Sequence, residues 1–132
     1  MPLALTLKPR ERVIIAGAVI KNGSSVAHLQ IENHVTLLRQ KDILAEHEAT
    51  SPCKKIYFTV QLMYVGDGLS PELTQMYLEL VRDVLAAAPS TKELISQISA
   101  YIVGGDFYPA LKVAKKLISY EEELISHVSK SG

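Results

Sequence analysis

From Leu3 to about Leu38, apolar and polar positions alternate with a period of two in residues that favour strands. The runs are Leu3, Leu5 and Leu7, then Val13-Ile14-Ile15, Ala18-Val19-Ile20, Val26 to Ile31 and Val35 to Leu38. That period sends successive side chains to opposite faces, so the segment predicts four or five short antiparallel strands. In the first strand Leu3, Leu5 and Leu7 share one face, and Ala4, Thr6 and Lys8 the other. Turn residues separate the runs at Lys8-Pro9-Arg10-Glu11, Gly17, Asn22-Gly23-Ser24-Ser25 and Glu32-Asn33-His34. Asn22-Gly23 is the strongest hairpin signal, because both residue types tolerate the positive φ of a two-residue turn.

After Asp42 the period becomes helical. Ser51-Pro52 reads as an N-cap and first helical residue, ahead of a stripe of Ile56, Val60, Met63 and Tyr64 that stops at Gly66 and Gly68. Ser70-Pro71 repeats the signal before Leu73, Met76, Tyr77, Leu80, Val84 and Leu85, and Pro89 ends that run. Ser90 or Thr91 is expected to cap a third helix that closes at Gly104-Gly105. Asp106 is expected to cap a fourth, from Phe107 to about Val128, with the serine-rich end from Ser126 to Ser131 fraying. Consecutive strands followed by consecutive helices imply an α+β fold. The expected layout is a small antiparallel sheet or barrel over residues 1–45, then a bundle of about four helices over 46–132.

With 132 residues, 48% of them hydrophobic, the chain is long enough to bury a core without a disulfide scaffold. Its single cysteine, Cys53, has no partner within the chain, which suits a reducing cytoplasm. No basic segment followed by an apolar one opens the sequence, so no cleaved signal peptide is expected. The longest charge-free stretch, Leu94 to Gly105, is 12 residues, too short for a membrane span. Lysines and arginines balance aspartates and glutamates at 14 each. The balance is uneven along the chain: residues 1–55 carry a net charge of +3 and residues 56–132 a net charge of −3. The first part is therefore the better candidate for meeting a polyanion.

Candidate chemistry is sparse. His28, His34, His47 and His127 are scattered at no ligand spacing, so no metal or other cofactor is expected. Cys53 stands near a helix start beside Lys54 and Lys55, a setting that can activate a thiol. With no visible base, however, it reads as an ordinary free cysteine and the chain as no enzyme. Glu121-Glu122-Glu123 reads as a solvated helix face. What remains is the basic material of the β part. Lys8, Arg10 and Arg12 flank the first turn and Arg39-Gln40-Lys41 follows the last strand, so a small sheet can bring the two groups together as a phosphate-binding edge. No Tyr, Phe or Trp precedes Tyr57, which argues against a base-stacking platform.

Taken in order, Leu5-Thr6-Leu7-Lys8-Pro9, Glu11 to Ile15, Gly17 to Ile20, Asn22-Gly23, Ile31-Glu32-Asn33, Leu38 to Leu44, Ile56-Tyr57-Phe58 and Val60 to Tyr64 resemble FlbT, the flagellum biosynthesis repressor family. Arg10 stands where a glycine or another small turn residue is expected. The resemblance implies a cytoplasmic, non-enzymatic, post-transcriptional regulator that associates with the 5′ untranslated leader of flagellin mRNA and represses its translation or promotes its decay. The β part alone is also similar to the CsrA/RsmA translational regulators, whose small β domains dimerise and read RNA hairpin loops. That similarity implies a homodimer in which Arg39, near the end of the last strand, contacts RNA together with Leu5, Thr6 and Lys8. Neither DNA nor a membrane is an expected partner. The alternative is a protein-interaction module whose acidic helices bind flagellin, an export chaperone or a flagellar regulator such as FlaF, with an indirect effect on the mRNA.

Overall fold

The computed structural model describes residues 2–131, with side chains to Val128. It has five strands followed by four helices, an α+β fold. The chain divides into two compact units, Met1–Ile43 and Leu44–Gly132.

The first unit holds β1 (Leu3–Leu7), β2 (Arg12–Ile15), β3 (Ala18–Lys21), β4 (Ala27–Ile31) and β5 (Leu37–Arg39). They form two antiparallel sheets. β1 pairs with β4, setting Thr6 opposite His28, and β2 lies between β3 and β5, setting Val13 opposite Arg39. Leu5, Leu7 and Val13 form the core, with Ile15, Ala27 and Leu37 packed against them. Leu3 belongs by alternation to the same face, yet it lies at the end of β1 and is half exposed.

The two-residue hairpin turn lies at Gly17, one of the expected turns, and not at Asn22-Gly23, the strongest hairpin signal. Ala16 and Gly17 carry the paired positive φ values, 51° and 85°, that turn β2 into β3. Asn22-Gly23 instead joins two strands that do not pair with each other. Asn22 acts through its side chain, whose Nδ2 donates to the carbonyls of Lys8 (2.8 Å), Ser25 (2.9 Å) and Leu7 (3.3 Å).

The turn between β1 and β2 closes by a hydrogen bond from the Glu11 N–H to the Lys8 carbonyl, 3.1 Å. Pro9 is its second residue and Arg10 its third, with φ 67°. A turn with proline second and positive φ third is type II, and it favours glycine at the third position. This is the small-residue position that Arg10 occupies. An L side chain costs about 1–2 kcal/mol in left-handed backbone, and glycine returns part of that gain as chain entropy. Arg10→Gly is therefore expected to stabilise the protein by about 0.5–1 kcal/mol. Thermal denaturation checks this, and an unchanged or lowered melting temperature contradicts it.

The second unit holds α1 (Pro52–Val65), α2 (Pro71–Ala87), α3 (Lys92–Val103) and α4 (Phe107–Ser131). Both Ser-Pro signals act as expected. The Ser51 hydroxyl accepts from the Lys54 N–H and that of Ser70 from the Leu73 N–H, with proline at the first helical position in each case. The third start differs from expectation. Pro89–Thr91 forms a short 3-10 turn in which the Thr91 hydroxyl donates to the Ala88 carbonyl at 2.7 Å, while Ser90 accepts from the Tyr120 hydroxyl. Thr91 stands at the N-cap position of α3 but makes no side-chain cap hydrogen bond. The backbone is helical to Ser131, and the side chains of 129–131 lie outside the described residues.

α4 packs against both α1 and α3, and α1 also packs against α2. Ile56, Val60, Ile98, Ala110, Ala114 and Leu117 are buried completely or nearly so. Among the described residues no helix is long and apolar enough to cross a membrane.

Candidate nucleic-acid interface

The first turn and the end of β5 are drawn together by hydrogen bonds that no sequence spacing shows. Arg39 Nη2 donates to the Thr6 carbonyl at 2.9 Å and lies 3.6 Å from Glu11 Oε2. The other carboxylate oxygen of Glu11 accepts from the Lys8 N–H at 2.8 Å, which fixes the turn. On the next residue along, the Arg12 N–H donates to Gln40 Oε1 at 2.6 Å. One guanidinium on β5 thus ties the three-stranded sheet to β1 of the other sheet, and the backbone bonds of Lys8 and Arg12 bring the two ends of the turn to the same sheet edge.

Lys8, Arg10, Arg12 and Lys41 are exposed, and the Arg39 side chain is 40% exposed. With Glu11 and with Lys21, which stands opposite Arg12 across the β2–β3 pair, they make a rim of six cations and one carboxylate along the first turn and the adjoining strand ends, and the Asp42 side chain next to Lys41 is buried. Thr6 is exposed at the same end of β1, its hydroxyl 3.3 Å from His28 Nδ1. Leu5 is a correction to the sequence reading. Its side chain is 2% exposed and belongs to the core, so it offers no contact at the surface. Alternation already places Leu5 opposite Thr6 and Lys8, so the two sides of β1 cannot present side chains to one ligand.

Sequence reasoning missed Glu11 and His28 as members of this surface. Glu11 follows from geometry alone, since nothing in its spacing marks it as the partner of a residue 28 positions away. His28 enters only through the β1–β4 register.

The other candidates carry structure instead. Cys53 is buried, and its thiol is pushed up to about 12, first by burial and then by the Glu121 carboxylate beside it. A thiol shifted from 9.0 to about 12 holds about a thousand-fold less thiolate near neutral pH. Native protein is therefore expected to react with a thiol reagent at pH 8 orders of magnitude more slowly than the same chain in denaturant. Comparable rates in the two states would contradict this. Glu121 is not part of a solvated face: its carboxylate accepts from the Ser51 hydroxyl at 2.5 Å and the Cys53 N–H at 3.2 Å, a negative charge placed at the N-terminus of α1. Glu122 and Glu123 are exposed as expected. Among the described residues no three His, Cys, Asp or Glu side chains are grouped to hold a metal ion.

Comparison with known proteins bears on the whole chain. The family model for flagellar protein FlbT matches residues 3–125. A protein of Bradyrhizobium diazoefficiens named probable flagellum biosynthesis repressor protein FlbT 1 is 44% identical over 126 residues, which cover 94% of this chain and 85% of the relative. A protein of Rhodopseudomonas palustris with a similar name is 39% identical over 126 residues, covering 96% and 99%. The flagellum biosynthesis repressor protein FlbT of Caulobacter vibrioides is 33% identical over 131 residues, covering 98% and 93%. No solved structure matches the chain.

Proposed function

Because the chain belongs to the FlbT family of flagellar proteins, we propose that it represses flagellum biosynthesis after transcription, by binding the 5′ untranslated leader of flagellin mRNA in the cytoplasm. Its relatives carry the name of a repressor, which supports a regulatory role in making the flagellum and no catalytic one. The observation that carries the RNA reading is the cationic rim around Arg39. Phosphates supply most of the affinity of a sequence-tolerant RNA contact, and a guanidinium fork suits both phosphates and exposed base edges.

Arg10 supports the reading from another side. A charged side chain held in a left-handed turn position is a local cost, and a polyanion contact gives that cost a use. The rim lacks aromatic residues, so recognition rests on charge, the guanidinium fork and loop shape.

The reading includes a homodimer. Among the described residues β1, β3, β4 and β5 each pair along one edge only, and Leu3, Val19 and Val26 are exposed. A unit of this size with open strand edges and exposed apolar side chains is the kind that a second copy completes.

The test is ultraviolet crosslinking of the full chain to the leader RNA, followed by peptide mapping. The reading expects crosslinked peptides from residues 6–12 and 39–41. Crosslinks confined to the helices, or none above those with an unrelated RNA, would overturn it and favour an indirect effect through a protein partner.

A further inference from the structure

A second surface lies wholly within the helical unit. The C-terminal halves of α2 and α4 flank the start of α1 and leave an apolar groove of about 530 Å³. Val84 and Ala87 of α2 form one wall, Leu124, Ile125 and Val128 of α4 the other, and Cys53 lies at the start of α1 between them. Ile125 and Val128 are 58% and 70% exposed, large apolar side chains set about two and three turns of helix beyond the buried Leu117. An exposed apolar groove walled by two helices has the form that accepts an amphipathic helix, through anchors spaced three, four and seven residues apart.

Charge decides between occupants. Among the described residues, the two charged ones that line the groove, Asp83 and Glu121, are acidic, and Glu122 lies next to Glu121 on α4. Taken as a whole, the helical region of a second copy carries a net charge of −3, which disfavours it at an acidic groove. We propose that the groove docks a cationic amphipathic helix of a partner protein, with its apolar stripe on Val84, Leu124 and Ile125 and a Lys or Arg facing Asp83. This surface is independent of the RNA reading.

The test uses full-length protein and two labelled synthetic helices of about sixteen residues, with one leucine and isoleucine stripe and either lysine or glutamate flanks. The lysine peptide is expected to bind saturably and the glutamate peptide at least tenfold more weakly. Ile125→Asp is expected to weaken the lysine peptide at least tenfold, as is Ala87→Trp, which fills the groove from the opposite wall. Asp83→Asn should weaken it several-fold. Both Ile125 and Ala87 are exposed, so the helical signal in circular dichroism should persist in these variants, and RNA binding should not change. The proposal is overturned by the absence of saturable binding of the lysine peptide, by equal binding of both peptides or by unchanged affinity in the groove variants. A concentration-dependent dimer that Ile125→Asp dissolves would also overturn it, by assigning the groove to a second copy.

Discussion

Arg39→Ala is expected to lower affinity for the flagellin mRNA leader by about 5- to 150-fold, corresponding to about 1–3 kcal/mol for one phosphate- or base-contacting arginine. In the proposed reading the residue has two tasks, one in RNA contact and one within the fold. Within the chain its guanidinium donates to the Thr6 carbonyl and pairs with Glu11, so alanine also removes a link between the two sheets. At 40% exposure that link is worth about 1 kcal/mol of stability. Arg39→Lys keeps the charge without the fork and is expected to fall between wild type and alanine in RNA affinity.

Glu11→Gln gives the opposite sign. The amide oxygen of glutamine can still accept from the Lys8 N–H, so the turn keeps its bond, while the carboxylate paired with Arg39, which in the proposed reading would compete with phosphate, is removed. RNA affinity should rise several-fold in this variant. A fall in affinity with the fold intact would show that Glu11 positions Arg39 for RNA instead of competing for it.

Gln61→Met is expected to destabilise the protein by about 2–3 kcal/mol with little change in volume. Gln61 sits on α1 with its side chain 4% exposed. Its Oε1 accepts from the Leu44 N–H at 2.8 Å and its Nε2 donates to the Leu44 carbonyl at 2.9 Å. One side-chain amide therefore pairs both backbone groups of the residue at which the second unit begins. Methionine fills the space and leaves two partly buried backbone groups without partners. Urea denaturation should show a lower midpoint at an unchanged slope. A midpoint within experimental error of wild type would mean that water replaces both bonds at no cost.

The elements were legible in the sequence where a local rule sets them. The first two helices begin at Ser-Pro pairs, and breaks at Gly66, Gly104 and Gly105 follow apolar stripes, so α1 to α4 lie close to their expected bounds. Strand pairing was not legible in the same way, because period two marks a strand without naming its neighbour. Asn22-Gly23 has the composition of a hairpin turn, yet Asn22 spends its donors on the carbonyls of Leu7, Lys8 and Ser25, and the left-handed pair is Ala16-Gly17. The β1–β4 pairing, which sets Thr6 beside His28, joins strands separated by two others.

The site shows the same division. Of the rim cations, Lys8, Arg10, Arg12, Arg39 and Lys41 could be named from the sequence, since they flank predicted strand ends. Leu5 could have been set aside on alternation alone, and its burial does so. Glu11 and Glu121 could not be distinguished from ordinary surface acids by spacing. Each acquires its role from a partner that only the fold brings near, Arg39 for one and the start of α1 for the other.

The most direct test of the RNA reading is the affinity of the purified full-length protein for a labelled flagellin mRNA leader across a series of salt concentrations, with a scrambled RNA of equal length alongside. The account predicts saturable binding that favours the leader and weakens steadily with salt, with a logarithmic slope of about −0.7 for each phosphate neutralised on a single strand. No binding at the lowest salt, or equal affinity for the two RNAs, would contradict it.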